Sequence, residues 1–504
     1  MLFNSFIFLL LFLPATLACF YLARRYLSVR WAIAILVVGS FVFYSYWNPS
    51  NLPILLGSIV FNYLLGQRLT NLQTSRHSKL LLILGVTANL ALLAYFKYTN
   101  FFIANLNTLI TIPLPLQNIV LPLAISFFTF QQVAYLVDSY RGVVIERNFL
   151  NYVLFVSFFP QLIAGPIVHH KEMMPQFAAL PATGQWRKYL GLGTALFCIG
   201  LGKKVLLADN FAVYANQLFN QVDANSLLIG DAWIGAISYH FQIYFDFSGY
   251  SDMAIGLAYM FGIRLPINFD SPYKAQSIIV FWRRWHMTLS RFLRDYLYIT
   301  LGGNRKGKLR RHANLLMTML LGGLWHGAAW TFVVWGALHG GFLVINHLFH
   351  VAARRVPFAH LFNSRLFTGL GIVVTTLAVM VAWVYFRAGS LSDANTVVMA
   401  LFGRGELGIS HSLNQAIQTQ SFAPFLFLLF NEHLASWCVV LCLILVTQAF
   451  ILLAPNSMQI LDQFERIEPT SSSKHSAWEF LCAAALALSI IGMFGISEFI
   501  YFQF

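Results

Sequence analysis

"LFTGLGIVVTTLAVMVAWVY", residues 366–385, runs for twenty positions without a charged side chain. As a helix this stretch rises about 30 Å, the thickness of a bilayer's hydrocarbon core. A barrel strand would instead alternate apolar and polar residues over about ten positions. Comparable blocks recur at Leu2–Leu22, Trp31–Trp47, Leu80–Tyr95, Ser436–Ala454 and Trp478–Met493. Across 504 residues, 58% are hydrophobic and 10% charged, whereas soluble domains carry roughly 25% charged residues. The chain therefore reads as an all-α polytopic membrane protein with about eleven spans.

The first block, "MLFNSFIFLLLFLPATLACFYLARRYLSVR", lacks a basic stretch ahead of its apolar core, and its positive charges follow the core. That order argues against a cleaved leader and for a retained first span with Arg24, Arg25 and Arg30 on the cytoplasmic side. Further basic clusters at 68–79, 141–147, 187–204, 302–311 and 354–365 mark the same face, and "TNFFIANLNTLITIPLPLQN", 99–118, is expected outside.

The balance of 32 basic and 18 acidic side chains, +14, fits contact with anionic membrane lipid; no nucleic-acid partner is expected. Five cysteines form no CxxC pair, so no disulfide framework or zinc ribbon is implied. No metal is expected either. HExxH is absent, and His347 and His350, though spaced three apart, have no acidic or thiol neighbour. One integral-membrane domain, 1–504, is expected, with N-terminal spans at 1–140, a catalytic core at 141–350, and C-terminal spans and tail at 351–504.

Residues 270–350 concentrate the chemistry. Between Phe281 and Ile299, Trp, Tyr and Leu are mixed with Arg283, Arg284, Arg291, Arg294 and Asp295. So many charges exclude a lipid-facing span and predict an amphipathic or re-entrant cytoplasmic element. "GGNRKGKLRR", 302–311, follows as a basic loop, and the chain from His312 to His350 then makes either two short passes or a dip turning near "WHGAAW". "FPQLIAGPIVHHKEMMPQF", 159–177, reads as a broken helix or re-entrant loop.

"LGGLWHGAAWTFVVWGALHGG", 321–341, places His326 and His339 among glycines and tryptophans. An ionisable ring at membrane depth is a candidate for function. Gly322, Gly323 and Gly327 permit close backbone approach, and Trp325 and Trp330 supply flat walls. A neutral imidazole can take the proton of a hydroxyl nucleophile, which acyl transfer to an alcohol requires. His286, in "RRWHMTLS", is the second candidate base. On an unbroken helix His339 lies about 220° from His326, which makes it a supporting residue. Asp246 and Asp252, in "HFQIYFDFSGYSDMAIGL", fit either cation binding, orientation of a histidine, or helix capping. Arg305 and Lys306, with Arg283 and Arg284, fit the phosphates of a nucleotide-like donor as well as ordinary cytoplasmic charge; no P-loop or GxGxxG is present.

"FWRRWHMTLSRFLRDYLYITLGGNRKG" followed by "LLGGLWHGAAWTFVVWGALHG" closely resembles the membrane-bound O-acyltransferase (MBOAT) family, in particular its bacterial polysaccharide branch, typified by the alginate O-acetylation membrane subunit. "YFDFSGYSDMAIGLAYMFGI", "FPQLIAGPI" and "SFFTFQQVAYLVDSYRG" carry the likeness too, so it covers most of the chain to about residue 350. The resemblance implies a fold of about eleven transmembrane helices, with re-entrant and amphipathic cytoplasmic helices around a central tunnel. It implies His326 as the central catalytic histidine, assisted by His286. It also implies acetyl-CoA as the cytoplasmic co-substrate, an extracellular polysaccharide as the final acceptor, and periplasmic acetyltransferase proteins as partners in the inner membrane of a bacterium. The C-terminal "SEFIYFQF" resembles the aromatic tail of a partner peptide in the related D-alanylation system, which makes Tyr501 a candidate acyl carrier. Within the family, D-alanyl or peptidoglycan acyl transfer are alternatives; outside it, a non-catalytic flippase for lipid-linked sugar fits the same apolar bulk.

Overall fold

The computed structural model of the protein describes residues 1–72, 75–143, 148–180, 183–220, 222–223, 226–353, 355, 362, 364–420, 432–466, 472–493 and 499–500. Every regular element among them is helical. In chain order the main ones are α1 (Phe8–Tyr26), α2 (Val29–Ser45), α3 (Leu52–Leu72), α4 (Arg76–Asn107), α5 (Ile125–Tyr140), α6 (Trp186–Phe219) and α7 (Ile229–Met260). Two short helices, α8 (Ile278–Arg284) and α9 (Met287–Phe292), precede α10 (Gly307–His326), α11 (Trp330–Ala353), α12 (Arg365–Arg387), α13 (Glu432–Leu453), α14 (Ser457–Arg466) and α15 (Ser472–Gly492).

Seven described helices are long and apolar enough to cross a bilayer, and the apolar segments Val29–Ser45 and Cys482–Gly492 are shorter. The protein is a multi-pass membrane protein. The expected apolar blocks reappear in α1, α2, α4, α12, α13 and α15, and α4 runs on to Asn107, well beyond the expected end at Tyr95.

Contacts divide the chain into two units: Met1–Gly202 with Gly249–Ile267 and Leu461–Gln503, and Lys203–Ser248 with Asn268–Ile460. In the first unit small and amide residues hold the helices together, as expected where lipid removes the hydrophobic drive for association. Asn62 on α3 and Asn89 on α4 exchange amide hydrogen bonds at 3.1 and 2.7 Å. Where α6 crosses α7, a Cβ added to Gly193 would lie 2.5 Å from the Gly256 carbonyl oxygen, and one on Gly200 would lie 2.6 Å from that of Gly249. The segment 151–170 is buried throughout; it contains the short helix Phe159–Leu162 and ends at His170–Ala178, so the expected broken element is enclosed in protein.

The basic cluster 187–204, expected as a whole at the cytoplasmic face, is divided: Arg187 and Lys188 are exposed at the start of α6, whereas Lys203 and Lys204 lie within this continuous apolar helix, in a π-helical turn over Lys203–Ala208. Lys204 is 2% exposed, and its Nζ binds Asp246 Oδ1 at 2.6 Å and Asp209 Oδ1 at 2.8 Å. One buried carboxylate, Asp246, and one half-buried carboxylate, Asp209, stabilise the ammonium group there, where lipid or a bare apolar core would not.

Candidate active site

All three candidate histidines fall in the second unit. The α10–α11 hairpin forms its densest element pair, and glycines make it possible. A Cβ on Gly323 would stand 2.2 Å from the Phe332 carbonyl oxygen, and one on Gly336 would stand 2.4 Å from that of Met319. No residue with a side chain permits that approach. The chain turns through Gly327, which is extended at φ −158° and ψ 149°, so α10 and α11 are two packed helices of 20 and 24 residues, of which α11 is long and apolar enough to cross a bilayer.

His326 ends α10, about 28 Å along the helix axis from the basic loop at its start. It is 5% exposed and enclosed by rings: Trp325 at 4.9 Å, Trp335 at 5.1 Å and Phe386 at 5.2 Å between centroids. The break at Gly327 also alters the placement of His339. Trp335 lies against His326 on one contact and against His339, at 4.8 Å, on another. The two histidines thus share one aromatic neighbour, which the angle on an unbroken helix does not anticipate. His339 is fully buried, and its Nδ1 accepts a hydrogen bond from Trp282 Nε1 at 3.2 Å. Its proton therefore sits on Nε2, which has no hydrogen-bond partner among the described residues.

His286 stands between α8 and α9 with φ +42°, a left-handed conformation costly for a non-glycine residue. Backbone bonds hold it there: Asp270 donates to the Arg284 carbonyl at 3.0 Å and Met287 to that of Asn268 at 2.9 Å. Asn268 Oδ1 accepts from the Thr288 backbone N–H and from Thr288 Oγ1, at 3.4 and 2.7 Å. The same atom lies 3.1 Å from His286 Nδ1. Since that atom is an acceptor, the imidazole must donate from Nδ1, which leaves the basic lone pair on Nε2. The ring is 1% exposed, with Phe247 edge-on at 4.7 Å, and burial pushes its pKa well below the usual histidine range. Neighbouring Trp285 packs on Trp383 at 5.0 Å, and Trp383 packs on Trp335 at 5.8 Å, so an aromatic chain joins the His286 segment to the His326 hairpin.

The other candidates lie elsewhere. Arg283, Arg305 and Lys306 are exposed and Arg284 is half-buried. The turn carrying Arg305 and Lys306 is shaped by Gly302, Gly303 and Gly307, all at positive φ. Asp246 is buried and bound by Lys204, and Asp252 is buried within the first unit. Tyr501 lies outside the described residues. No group of three or more His, Cys, Asp or Glu side chains among the described residues is arranged to hold a metal. Sequence reasoning missed Asn268, Trp282 and Lys204, each fixed by a partner far along the chain. Of these only Lys204 left a trace, as a charge inside a long apolar run.

The sequence model of "MBOAT, membrane-bound O-acyltransferase family" matches residues 52–391, the segment that contains all three histidines. The chain belongs to this family. A peptidoglycan O-acetyltransferase of Helicobacter pylori is 40% identical over 532 aligned positions, covering 100% of this chain and 98% of the relative. A probable alginate O-acetylase of Pseudomonas aeruginosa is 43% identical over 423 residues, covering 82% of this chain and 77% of the relative. A teichoic acid D-alanyltransferase of Streptococcus thermophilus is 29% identical over 290 residues, covering 54% and 69%. This MBOAT protein is thus a membrane-bound O-acyltransferase, and an acyl donor is its co-substrate.

Proposed function

We propose that the protein takes an acetyl group from cytoplasmic acetyl-CoA and passes it across a bacterial inner membrane for O-acetylation of an extracellular polysaccharide. Periplasmic acetyltransferase partners would complete delivery to the polymer. The observation that carries this reading is His326, a buried imidazole walled by Trp325, Trp335 and Phe386 at the turn of a hairpin inside the matched family segment. As general base it accepts the proton of a hydroxyl while that oxygen attacks the thioester carbonyl. The C–S bond breaks and the departing thiolate recovers a proton. His286, with its lone pair on Nε2, assists. Arg305 and Lys306, with Arg283 and Arg284, receive the donor's phosphates at the cytoplasmic side. Tyr501 is the proposed intermediate acceptor, its phenol oxygen carrying the acetyl group outward.

The test is radiolabelled acetyl-CoA turnover by the purified protein in proteoliposomes. Release of free CoA supports the enzyme over a flippase, and His326→Ala should lower turnover by about 10²- to 10⁴-fold at unchanged abundance. Full turnover in that variant removes His326 from the chemistry, and full polymer acetylation in Tyr501→Phe dismisses the relay.

A second reading, peptidoglycan as the acceptor, is favoured by one observation: the relative of that name aligns end to end, whereas the alginate relative covers 82% of this chain. Ester-linked acetate measured separately in cell wall and in secreted polymer, with and without the gene, distinguishes the two acceptors.

A further inference from the structure

A cavity of about 960 Å³ opens in the first unit between α6 and the C-terminal helices α14 and α15. Its lining includes Trp186 and Arg187 at the start of α6, Gly191 and Cys198 further along it, and Phe464 and Cys482 from the C-terminal helices. The volume lies at the upper end of the ~300–1,000 Å³ usual for small-molecule sites, and the lining is predominantly apolar.

Charge and aromatic character gather at one end. Trp186 is 41% exposed, and the Arg187 guanidinium lies 5.5 Å from its ring. Lys188 binds Glu465 at 2.9 Å, and Arg264 approaches the same carboxylate at 3.8 Å. The Lys188 bond holds the Glu465 carboxyl below its usual range, so it remains ionised at neutral pH. Arg24 reaches the Leu180 carbonyl at 3.4 Å, and Tyr21, nearly one turn earlier, packs on Trp186 at 5.9 Å. Of the charged residues that line the cavity, Arg187 and Lys188 are cations and Glu465 is a carboxylate shared with Arg264 from outside the lining. Arg187 thus adds a positive charge that no lining carboxylate matches, beside a tryptophan of the kind enriched at membrane interfaces. α14 adds an amphipathic segment, "SMQILDQFER", with Phe464 on the cavity and Glu465 on the rim.

Length agrees with charge. The lining residues on α6 run from Trp186 to Cys198, about 18 Å along a helix. One leaflet's hydrocarbon is about 15 Å thick. An acyl chain entering beside Arg187 and ending near Cys198 fills the slot from headgroup depth to the bilayer centre. We propose that this cavity is a binding site for a cytoplasmic-leaflet phospholipid with an anionic headgroup, independent of the acyl-transfer site.

Gly191 supplies a clean test, because a Cβ added there meets nothing within 4 Å. Gly191→Phe adds a ring at a cavity-lining position where the Cβ itself is unobstructed, and Arg187→Gln removes one charge at an exposed position. Delipidated full-length protein is titrated with phosphatidylglycerol or with phosphatidylcholine of the same acyl chains, and bound lipid is counted by native mass spectrometry. Wild type should retain one phosphatidylglycerol per chain about tenfold more tightly than phosphatidylcholine. Gly191→Phe should lose that molecule at an unchanged melting temperature, and Arg187→Gln should lower the headgroup preference about fivefold, the usual weight of one basic residue at an anionic surface. Equal retention of both lipids by wild type overturns the proposal, as does wild-type retention by Gly191→Phe. Should Gly191→Phe fail to fold, Arg187→Gln decides alone, and an unchanged preference overturns it.

Discussion

Gly323→Ala tests how the α10–α11 seam controls the chemistry. The added methyl would stand 2.2 Å from the Phe332 carbonyl oxygen, against 3.4 Å for the onset of ordinary van der Waals contact. The shortfall is about 1.2 Å (3.4 − 2.2). A helix carbonyl cannot swing aside as a flexible side chain can, so the two helices must separate or slide. Overpacking of this kind costs about 1–3 kcal/mol, too little to prevent insertion of a multi-pass protein. His326 follows Gly323 by three residues on the same helix, and its walls Trp335 and Phe386 belong to α11 and α12. A displacement of about 1 Å between base and reacting atoms costs on the order of 10²-fold in rate. Gly341→Ala on α11 is the control, since a methyl there meets nothing within 4 Å. The assay is initial acyl-transfer rate in proteoliposomes, normalised to inserted protein. The expected result is a loss of about 10²-fold for Gly323→Ala and none for Gly341→Ala. More than half the wild-type rate in Gly323→Ala would refute the reasoning. A rate that falls only in step with abundance would refute it too, because the seam would then be serving stability alone.

Lys204→Met should be strongly destabilising, by about 3–5 kcal/mol, because it leaves the Asp246 and Asp209 carboxylates near Lys204 without its charge; thermal melting in detergent reads it, and Lys204→Met combined with Asp246→Leu should recover part of the loss. Asn268→Ala removes the acceptor shared by His286 and Thr288, so kcat should fall with little change in KM, and Asn268→Asp, which keeps an acceptor oxygen, should rescue it in part. His339→Gln keeps an acceptor for the Trp282 N–H and should retain activity within about tenfold, whereas loss of a general base costs about 10²- to 10⁴-fold; a collapse comparable with that of His326→Ala would place His339 in the chemistry itself.

The spans were legible because lipid imposes one rule on every residue that faces it: twenty apolar positions make a helix wherever they occur in the chain. The 281–299 element was legible by the converse rule, since its charges cannot face lipid, and it forms the short helices α8 and α9 broken at His286. His326 stood out as an imidazole among glycines and tryptophans. What the sequence hid is long-range. Asn268 precedes His286 by eighteen residues in a segment without regular structure, and no local pattern marks it as the group that fixes a tautomer. Lys204 and Asp246 are each conspicuous, yet nothing local pairs them across 42 positions. The 220° argument for His339 assumed a continuous helix, and Gly327 removes that premise.

Hydrogen bonds to the two outer histidines separate their roles in a way that burial does not. Both rings are enclosed and both are neutral candidates, but their protons lie on opposite nitrogens. His339 spends its only lone pair on Trp282 and presents a donor at Nε2. It can lend a proton or polarise an oxygen, and it cannot accept a proton without first breaking that bond. His286 is fixed the other way. Asn268 Oδ1, already committed to Thr288, obliges Nδ1 to donate and leaves Nε2 basic. The left-handed backbone at His286 goes with this arrangement: the residue breaks the chain between α8 and α9 where its Nδ1 lies 3.1 Å from Asn268 Oδ1. Under the proposed acyl transfer, His286 can therefore share with His326 the removal of the hydroxyl proton, whereas His339, its lone pair held by Trp282, supports the aromatic wall through Trp335.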